Sequence, residues 1–187
     1  DLVRSRGLGD VYKRQDSGMT IIEGHLFLNG KKPIQHRSSY GLGEVIKAAL
    51  DNHTEHLVIS LGGIGSFDGG AGMLQALGAT FYDDEAQIVD MRKGAYLIKY
   101  IRRIDLSGVH PQLTKVNIQL MSDFSSRLYG KKSEIMQTYE SLDLSQNEAA
   151  EIDNLIWYFS ELFKNELKIA MGPIAVSYTH LTLPTIC

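Results

Sequence analysis

The chain has 187 residues, with 22 acidic against 19 basic side chains and a net charge of −3. That balance argues against a surface for nucleic acid or an anionic membrane, both of which require a basic face. No apolar run nears the roughly 20 residues of a membrane span, and no secretory leader is visible, so a cytoplasmic protein is expected.

The two ends distort these counts. Residues 5–15 (SRGLGDVYKRQ) and 176–186 (VSYTHLTLPTI) carry no strand or helix pattern joined to their neighbours. Both resemble translations of a transposon-end sequencing adaptor, read on opposite strands. The adaptor core gives 10–15 at one end and 176–181 at the other, and its arms give 5–9 and 181–185. Residues 1–15 and 176–187 are therefore expected to be adaptor-derived and non-native. Residues 16–175 remain, the size of one ordinary domain. Setting the ends aside removes four basic and two acidic residues and takes the net charge to −5. The only cysteine, Cys187, goes with them, and with it any thiol chemistry, disulfide or cysteine metal site.

Residues 20–23 and 26–28 are short apolar runs, read as strand and loop. Residues 41–50 predict a helix with Val45, Ile46, Ala49 and Leu50 on one face. Residues 56–61 are apolar nearly throughout, as buried parallel strands are. A glycine-rich turn spans 62–70, a second helix 71–77 and another strand 79–82. The polar stretch 83–87 predicts a hairpin turn, and 105–108 with Pro111 a loop. Residues 116–121 alternate as a strand does. Residues 146–167 predict a long amphipathic helix with Ile152, Leu155, Ile156, Phe159, Leu162, Phe163 and Leu167 on its apolar stripe. Trp157 is read with that stripe as core packing. Alternating strands and helices imply an α/β fold, a mostly parallel sheet flanked by helices.

The sharpest chemical feature is the turn from Gly62 to Gly72, between a buried strand and a helix. Glycines let main-chain amides approach an anion with no Cβ in the way. A helix start adds unpaired N–H groups and a positive dipole end. Gly62, Gly63, Gly65, Gly69 and Gly70 would shape an anion cradle and Ser66 would add a hydroxyl. Asp68 would hold Mg²⁺ or take a proton from a substrate hydroxyl. The competing reading is that these glycines only make tight turns. The turn is not a P-loop, since no Gly-Lys-Ser/Thr follows. Nor is it a dinucleotide fingerprint, because Asp68 stands at the third glycine position counted from Gly63. Counted from Gly41, Ile46 stands there.

The run Ser39-Tyr40-Gly41-Leu42-Gly43-Glu44, the strand after it, and then DGGAGMLQALGA at 68–79 resemble glycerate kinases of the type-1 family. Ile104-Asp105-Leu106-Ser107-Gly108 with Pro111-Gln112-Leu113 resembles a further family segment. The resemblance runs through most of 37–128 and more weakly to about residue 170, so 16–175 is expected to be an incomplete part of a two-domain glycerate kinase fold. It implies transfer of the γ-phosphoryl group of ATP to a hydroxyl of D-glycerate with Mg²⁺, in a site between two α/β domains. Glu44 and Asp123 then join the candidate site residues, Asp123 at the carboxyl end of a strand, where ligands of open α/β sheets bind. Asp68 and Asp123 would share the roles of metal ligand and base.

The sequence departs from the family wording at three places. In the glycine turn Ile64 replaces a serine, Ser66 a threonine and Phe67 an asparagine. Residues 122–128 keep Asp123 but lose an asparagine and a proline. Near Tyr139, where a lysine-bearing motif is expected, the chain reads Tyr139-Glu140-Ser141-Leu142-Asp143. Phosphoryl transfer depends on placed positive charge, so the missing lysine, with the polar residues lost at 64 and 67, favours an alternative: a degenerate paralogue that binds a small acid or nucleotide without turnover. A nicotinamide-dependent dehydrogenase is disfavoured by the broken fingerprints. The segment by itself is expected to be inactive. His53 and His56 lie near each other, but a zinc site normally needs three or four ligands.

Overall fold

The structure is a computed structural model and describes residues 12–14, 18–23, 32–60, 65–121 and 126–167. In chain order its elements are β1 (Tyr12–Arg14), β2 (Met19–Glu23), α1 (Tyr40–Asp51), β3 (His56–Ser60), α2 (Ala71–Ala76), β4 (Thr80–Tyr82), β5 (Arg103–Asp105), β6 (Asn117–Met121), α3 (Glu134–Thr138) and α4 (Gln146–Leu167). Short 3-10 turns lie at Ile34–His36, Met91–Lys93, Ala95–Tyr100, Pro111–Thr114 and Tyr139–Leu142.

The main sheet runs in the order β1-β2-β3-β6. β2, β3 and β6 are parallel, and Glu23, Ser60 and Met121 come into register at their carboxyl ends. These carboxyl ends share one end of the sheet, the end where open α/β folds bind ligands. β1 pairs antiparallel with β2, Lys13 opposite Ile21. This strand lies in the stretch read as adaptor-derived. A sheet edge offers main-chain N–H and C=O groups to any extended segment, so side-chain pattern gave no hint of the pairing.

One face of the sheet is buried. Ile22, Leu57 and Ile59 pack on Leu42, Val45, Ile46, Ala49 and Leu50 of α1. Each such aliphatic side chain is worth roughly 1.5–3 kcal/mol on burial. Thr20 shares this face, and its hydroxyl shares a hydrogen bond with that of Thr54 at 2.7 Å. β6 alternates as expected, with Ile118 and Leu120 half-buried toward α1 and Asn117, Gln119 and Met121 exposed.

A second core lies beside the sheet. β4 and β5 form an antiparallel ribbon, Phe81 opposite Ile104. Phe81, Met91, Ile98 and Ile101 close on Phe159 and Phe163 of α4. The aromatic rings meet edge-on, with centroids 5.7 Å apart for Phe81–Phe159 and 5.0 Å for Phe159–Phe163. A third cluster joins Ile34, Ile135, Ala149, Ile152 and Ile156. The stripe of α4 thus serves two cores, whereas Trp157 is 48% exposed because it stands outside that stripe.

The helices α1, α2 and α4 and the strands β2, β3, β4 and β6 fall where the periodicities place them, within a residue or two. The turn at 83–87 closes as a hairpin: Asp83 N–H donates to the Gln87 carbonyl, and Asp83 Oδ1 accepts the N–H groups of Glu85 and Gln87. Strand β5 and helix α3 are too short for periodicity to show. Residues 26–28, read as apolar, lie outside the described residues.

Candidate functional site

Asp68 organises the described part of the glycine turn. It is 1% exposed. Its Oδ2 accepts the N–H of Ser39 at 2.8 Å, the Ser39 hydroxyl at 2.9 Å and the N–H of Gly72 at 3.2 Å. The Ser38 hydroxyl approaches the same oxygen at 3.5 Å. Its Oδ1 accepts the N–H of Gly70 at 3.1 Å. One carboxylate thus ties the entry of α1 to the entry of α2. Hydrogen bonds to an ionised acceptor are about twice as strong as neutral ones, and two helix starts favour negative charge between them.

The local sequence suits this knot. Gly69 and Gly70 have φ of +60° and +80°, a left-handed pair that side chains resist. At Gly72 a Cβ would lie 2.7 Å from the Tyr40 nitrogen and 2.8 Å from Asp68 Oδ2, so only glycine lets the two helix entries close. Ser39 completes the lock by accepting the N–H of Met73 at 2.9 Å.

This arrangement bears on two expectations. The start of α2 was read as a set of free amides for an anion. Here Ala71 N–H donates to the Asp68 carbonyl, Gly72 N–H to the Asp68 carboxylate and Met73 N–H to Ser39, so those donors are spent within the protein. Asp68 was read as a metal ligand or base. Its buried carboxylate is held by main-chain N–H and hydroxyl donors. Among the described residues no group of three or more His, Cys, Asp or Glu side chains could hold a metal ion. The geometry casts Asp68 as the anchor of the turn.

The other expected residues are placed as follows. Gly65 and Ser66 are half-buried just before the knot. Gly65 presents its carbonyl to Arg37 Nη1 at 3.3 Å, and Arg37 Nε donates to the Lys32 carbonyl at 2.9 Å. Arg37 places a cation against this turn. Reading the sequence missed it, and its place before the Ser38-Ser39 pair is the signal that was there. Glu44 is exposed on α1 and adds to the negative field around Arg92. Arg92 is held by Asp90, with Nε to Oδ1 at 2.8 Å and Nη2 to Oδ2 at 3.0 Å. That pairing raises the Arg92 pKa and lowers the Asp90 pKa. Gly62, Gly63 and Asp123 lie outside the described residues. Connectivity starts their segments directly after Ser60 and Met121, which are neighbours in register.

Phe67, one of the departures from the family wording, packs with Leu128 and Tyr129 on the cluster around Ile152 and Ile156. The Tyr139–Leu142 segment forms a 3-10 turn in which Glu140 is exposed and accepts a hydrogen bond from the Tyr139 hydroxyl at 3.3 Å. His53 and His56 are both exposed and belong to no metal cluster among the described residues.

The glycine knot on a parallel sheet agrees with what comparison with other proteins finds. The sequence pattern of the glycerate kinase family matches residues 17–175. The chain belongs to the glycerate kinase family. It is similar to the glycerate kinase of Halalkalibacterium halodurans, 29% identical over 162 residues that cover 87% of this chain and 41% of that protein. It is also similar to the glycerate 2-kinase of Escherichia coli, 30% identical over 132 residues that cover 71% of this chain and 34% of that protein. The crystal structure of putative glycerate kinase 2 from Salmonella typhimurium LT2 superposes with a TM-score of 0.80 at 25% identity, over 90% of this chain and 47% of that one. This glycerate kinase segment thus spans less than half the length of these relatives, and its fold is the mixed α/β sheet expected. No described helix is long and apolar enough to cross a membrane.

Proposed function

We propose that the protein carrying this segment is a cytoplasmic kinase that transfers the γ-phosphoryl group of ATP to a hydroxyl of D-glycerate. The observation that carries the reading is the family match over 17–175, joined to a glycine turn whose geometry is locked at the carboxyl edge of a parallel sheet. Phosphoryl transfer needs little covalent chemistry from the protein and much positioning, which is what a rigid turn supplies. With the amides of 71–73 engaged internally, the anion cradle narrows to Gly65 and Ser66, together with Gly62 and Gly63. Arg37 supplies positive charge beside it. Gly69 and Gly70 shape the turn, while Asp68 positions it.

Asp123 is the carboxylate we assign to the reacting hydroxyl, since its segment begins at the same sheet edge and Asp68 is already engaged. Magnesium would arrive on the phosphates of ATP, and no described residue set holds it independently. Glu44 stands apart from this arrangement, with a surface role beside Arg92. The segment alone, at 41% of a relative's length, is proposed to be inactive.

A second reading is a paralogue that binds a small acid or nucleotide without turnover. The 3-10 turn at Tyr139–Leu142, with Glu140 where a lysine-bearing motif is expected, favours it. Glycerate-dependent ADP release by the complete reading frame decides between them. Turnover establishes the kinase. A folded protein that binds ATP and releases no ADP establishes the paralogue.

A further inference from the structure

The apolar stripe of α4 explains its packing and leaves Asp153 unexplained. This residue is 9% exposed. Both its oxygens accept the N–H of Gly130, Oδ1 at 3.0 Å and Oδ2 at 2.8 Å, and Oδ1 also accepts the Ser133 hydroxyl at 2.6 Å. Ser133 caps α3 by accepting the N–H of Met136, and its own N–H donates to the Gly130 carbonyl at 2.8 Å. One charged acceptor therefore fixes both ends of the 130–133 turn, with the strength such bonds carry. Gly130 has φ +93°, and a Cβ there would meet nothing within 4 Å, so backbone conformation rather than space selects glycine. Arg127 N–H donates to the Lys132 carbonyl at 3.1 Å, and Leu128 and Tyr129 pack on the cluster of Ile152 and Ile156.

The next turns of α4 carry the glycine turn. A Cβ on Gly69 would lie 3.2 Å from Phe159 Cδ1 and 3.9 Å from Ile156 Cγ2. Phe67 joins the same cluster as Leu128 and Tyr129. Positions 153, 156 and 159 are successive i, i+3 neighbours on one side of a helix. One helix face thus touches both the turn that follows β3 in sequence and the turn that follows β6.

We propose that this face of α4 sets the spacing between the 65–70 turn and the 127–133 turn, and that Asp153 is a positioning residue for phosphoryl transfer. The inference rests on the kinase reading. A misplacement of about 1 Å far from the chemistry is enough to cost 10²-fold in rate, and losing Asp153 removes the hydrogen bonds that tie Gly130 and Ser133 to α4.

The test uses the complete reading frame carrying Asp153→Asn or Ser133→Ala, with Asn154→Ala on the exposed side of α4 as control. Glycerate-dependent ADP release gives kcat and KM, and amide hydrogen exchange gives protection at both turns. Asp153→Asn is expected to lower kcat by about 10²-fold with KM for ATP little changed. It should speed exchange at 127–133 and at 65–70. Ser133→Ala, which removes one of the two donors to Asp153, should do the same to a smaller extent. A folded Asp153→Asn enzyme with the control's kcat overturns the proposal. If Asp153→Asn does not fold, Ser133→Ala decides, and an unchanged kcat there overturns it. If the unsubstituted protein releases no ADP, the kinase reading fails separately, and exchange decides the brace. Faster exchange at both turns upholds the brace, while faster exchange at 127–133 alone, or at neither turn, overturns it.

Discussion

Replacing Asp68 with alanine takes the acceptor away from three main-chain N–H groups, those of Ser39, Gly70 and Gly72, and from the Ser39 hydroxyl. Residue 68 is 1% exposed, so water cannot replace the carboxylate without opening the contact between α1 and α2. Each buried donor left unmade costs about 1–3 kcal/mol. Partial relaxation keeps the costs from adding in full, and a loss of about 3–5 kcal/mol is expected. A typical domain has only about 5–15 kcal/mol to lose, so the variant should be close to unfolding. Asp68→Asn retains one acceptor oxygen, but its amide nitrogen then faces a main-chain N–H. It should cost about 1–3 kcal/mol. Urea unfolding of the chain, followed by far-ultraviolet circular dichroism, measures both. The single tryptophan, Trp157, is 48% exposed and makes a poor probe. A carboxylate kept free for catalysis gives the opposite pattern, with removal neutral or stabilising. An Asp68→Ala loss within the roughly 0.5 kcal/mol of ordinary surface changes would refute the anchor role.

Three further outcomes are expected. Gly43→Ala places a methyl 2.7 Å from the Ala76 Cβ and 2.8 Å from the Met73 Cα, so α1 and α2 must part. The cost should be about 1–3 kcal/mol, read by the same urea titration. Phe159→Ala removes the ring shared by Phe81, Phe163 and Gly69, and thermal unfolding should report about 3–5 kcal/mol. The Asp51 carboxyl is held below 3.8, first by its hydrogen bond from Lys47 and then by that to His110. A carboxyl that titrates lower folded than unfolded contributes stability above the unfolded pKa and loses it as pH falls through the folded pKa. The stability gap between the chain and Asp51→Asn should therefore be present at neutral pH, shrink as pH falls below 3.8 and vanish once pH has passed the lowered folded pKa. A gap that persists there would place the effect elsewhere.

The elements that positioned themselves by periodicity were the ones long enough to show it. α4 repeats its apolar stripe over 22 residues, and α1 and β3 bury single faces. The β4–β5 ribbon is different. Arg103–Asp105 is three residues with Ile104 alone facing inward, and its pairing with Thr80–Tyr82 is fixed by the surrounding core. In the site, residue types mark the glycine turn, but the hydrogen bonds that hold Asp68 are not legible in them. Its partners Ser38 and Ser39 stand 30 and 29 residues away in sequence. Asp153 was silent for the same reason, 23 residues from Gly130 and 20 from Ser133. A short motif names which residues matter. Which of them face a ligand, and which face another helix, is decided by contacts that no local pattern contains.

Phe67 shows how this changes a functional argument. Read against the family wording, it is a polar group lost from a phosphate turn, and it weighs toward a protein that binds without turnover. In the fold its side chain packs with Leu128 and Tyr129 on α4, so position 67 belongs to the hydrophobic cluster under the turn. Restoring the family residue by Phe67→Asn should then cost stability, about 1–3 kcal/mol from lost burial and a polar amide placed against Ile152 and Ile156. It should leave any ADP release of the complete protein no higher than before. A Phe67→Asn protein of unchanged stability and raised kcat would return position 67 to the ligand side. With Phe67 accounted for by packing, the case for a silent paralogue rests on Ile64 and on the lysine-free turn at Tyr139–Leu142, and those are the positions to exchange if the unsubstituted protein releases no ADP.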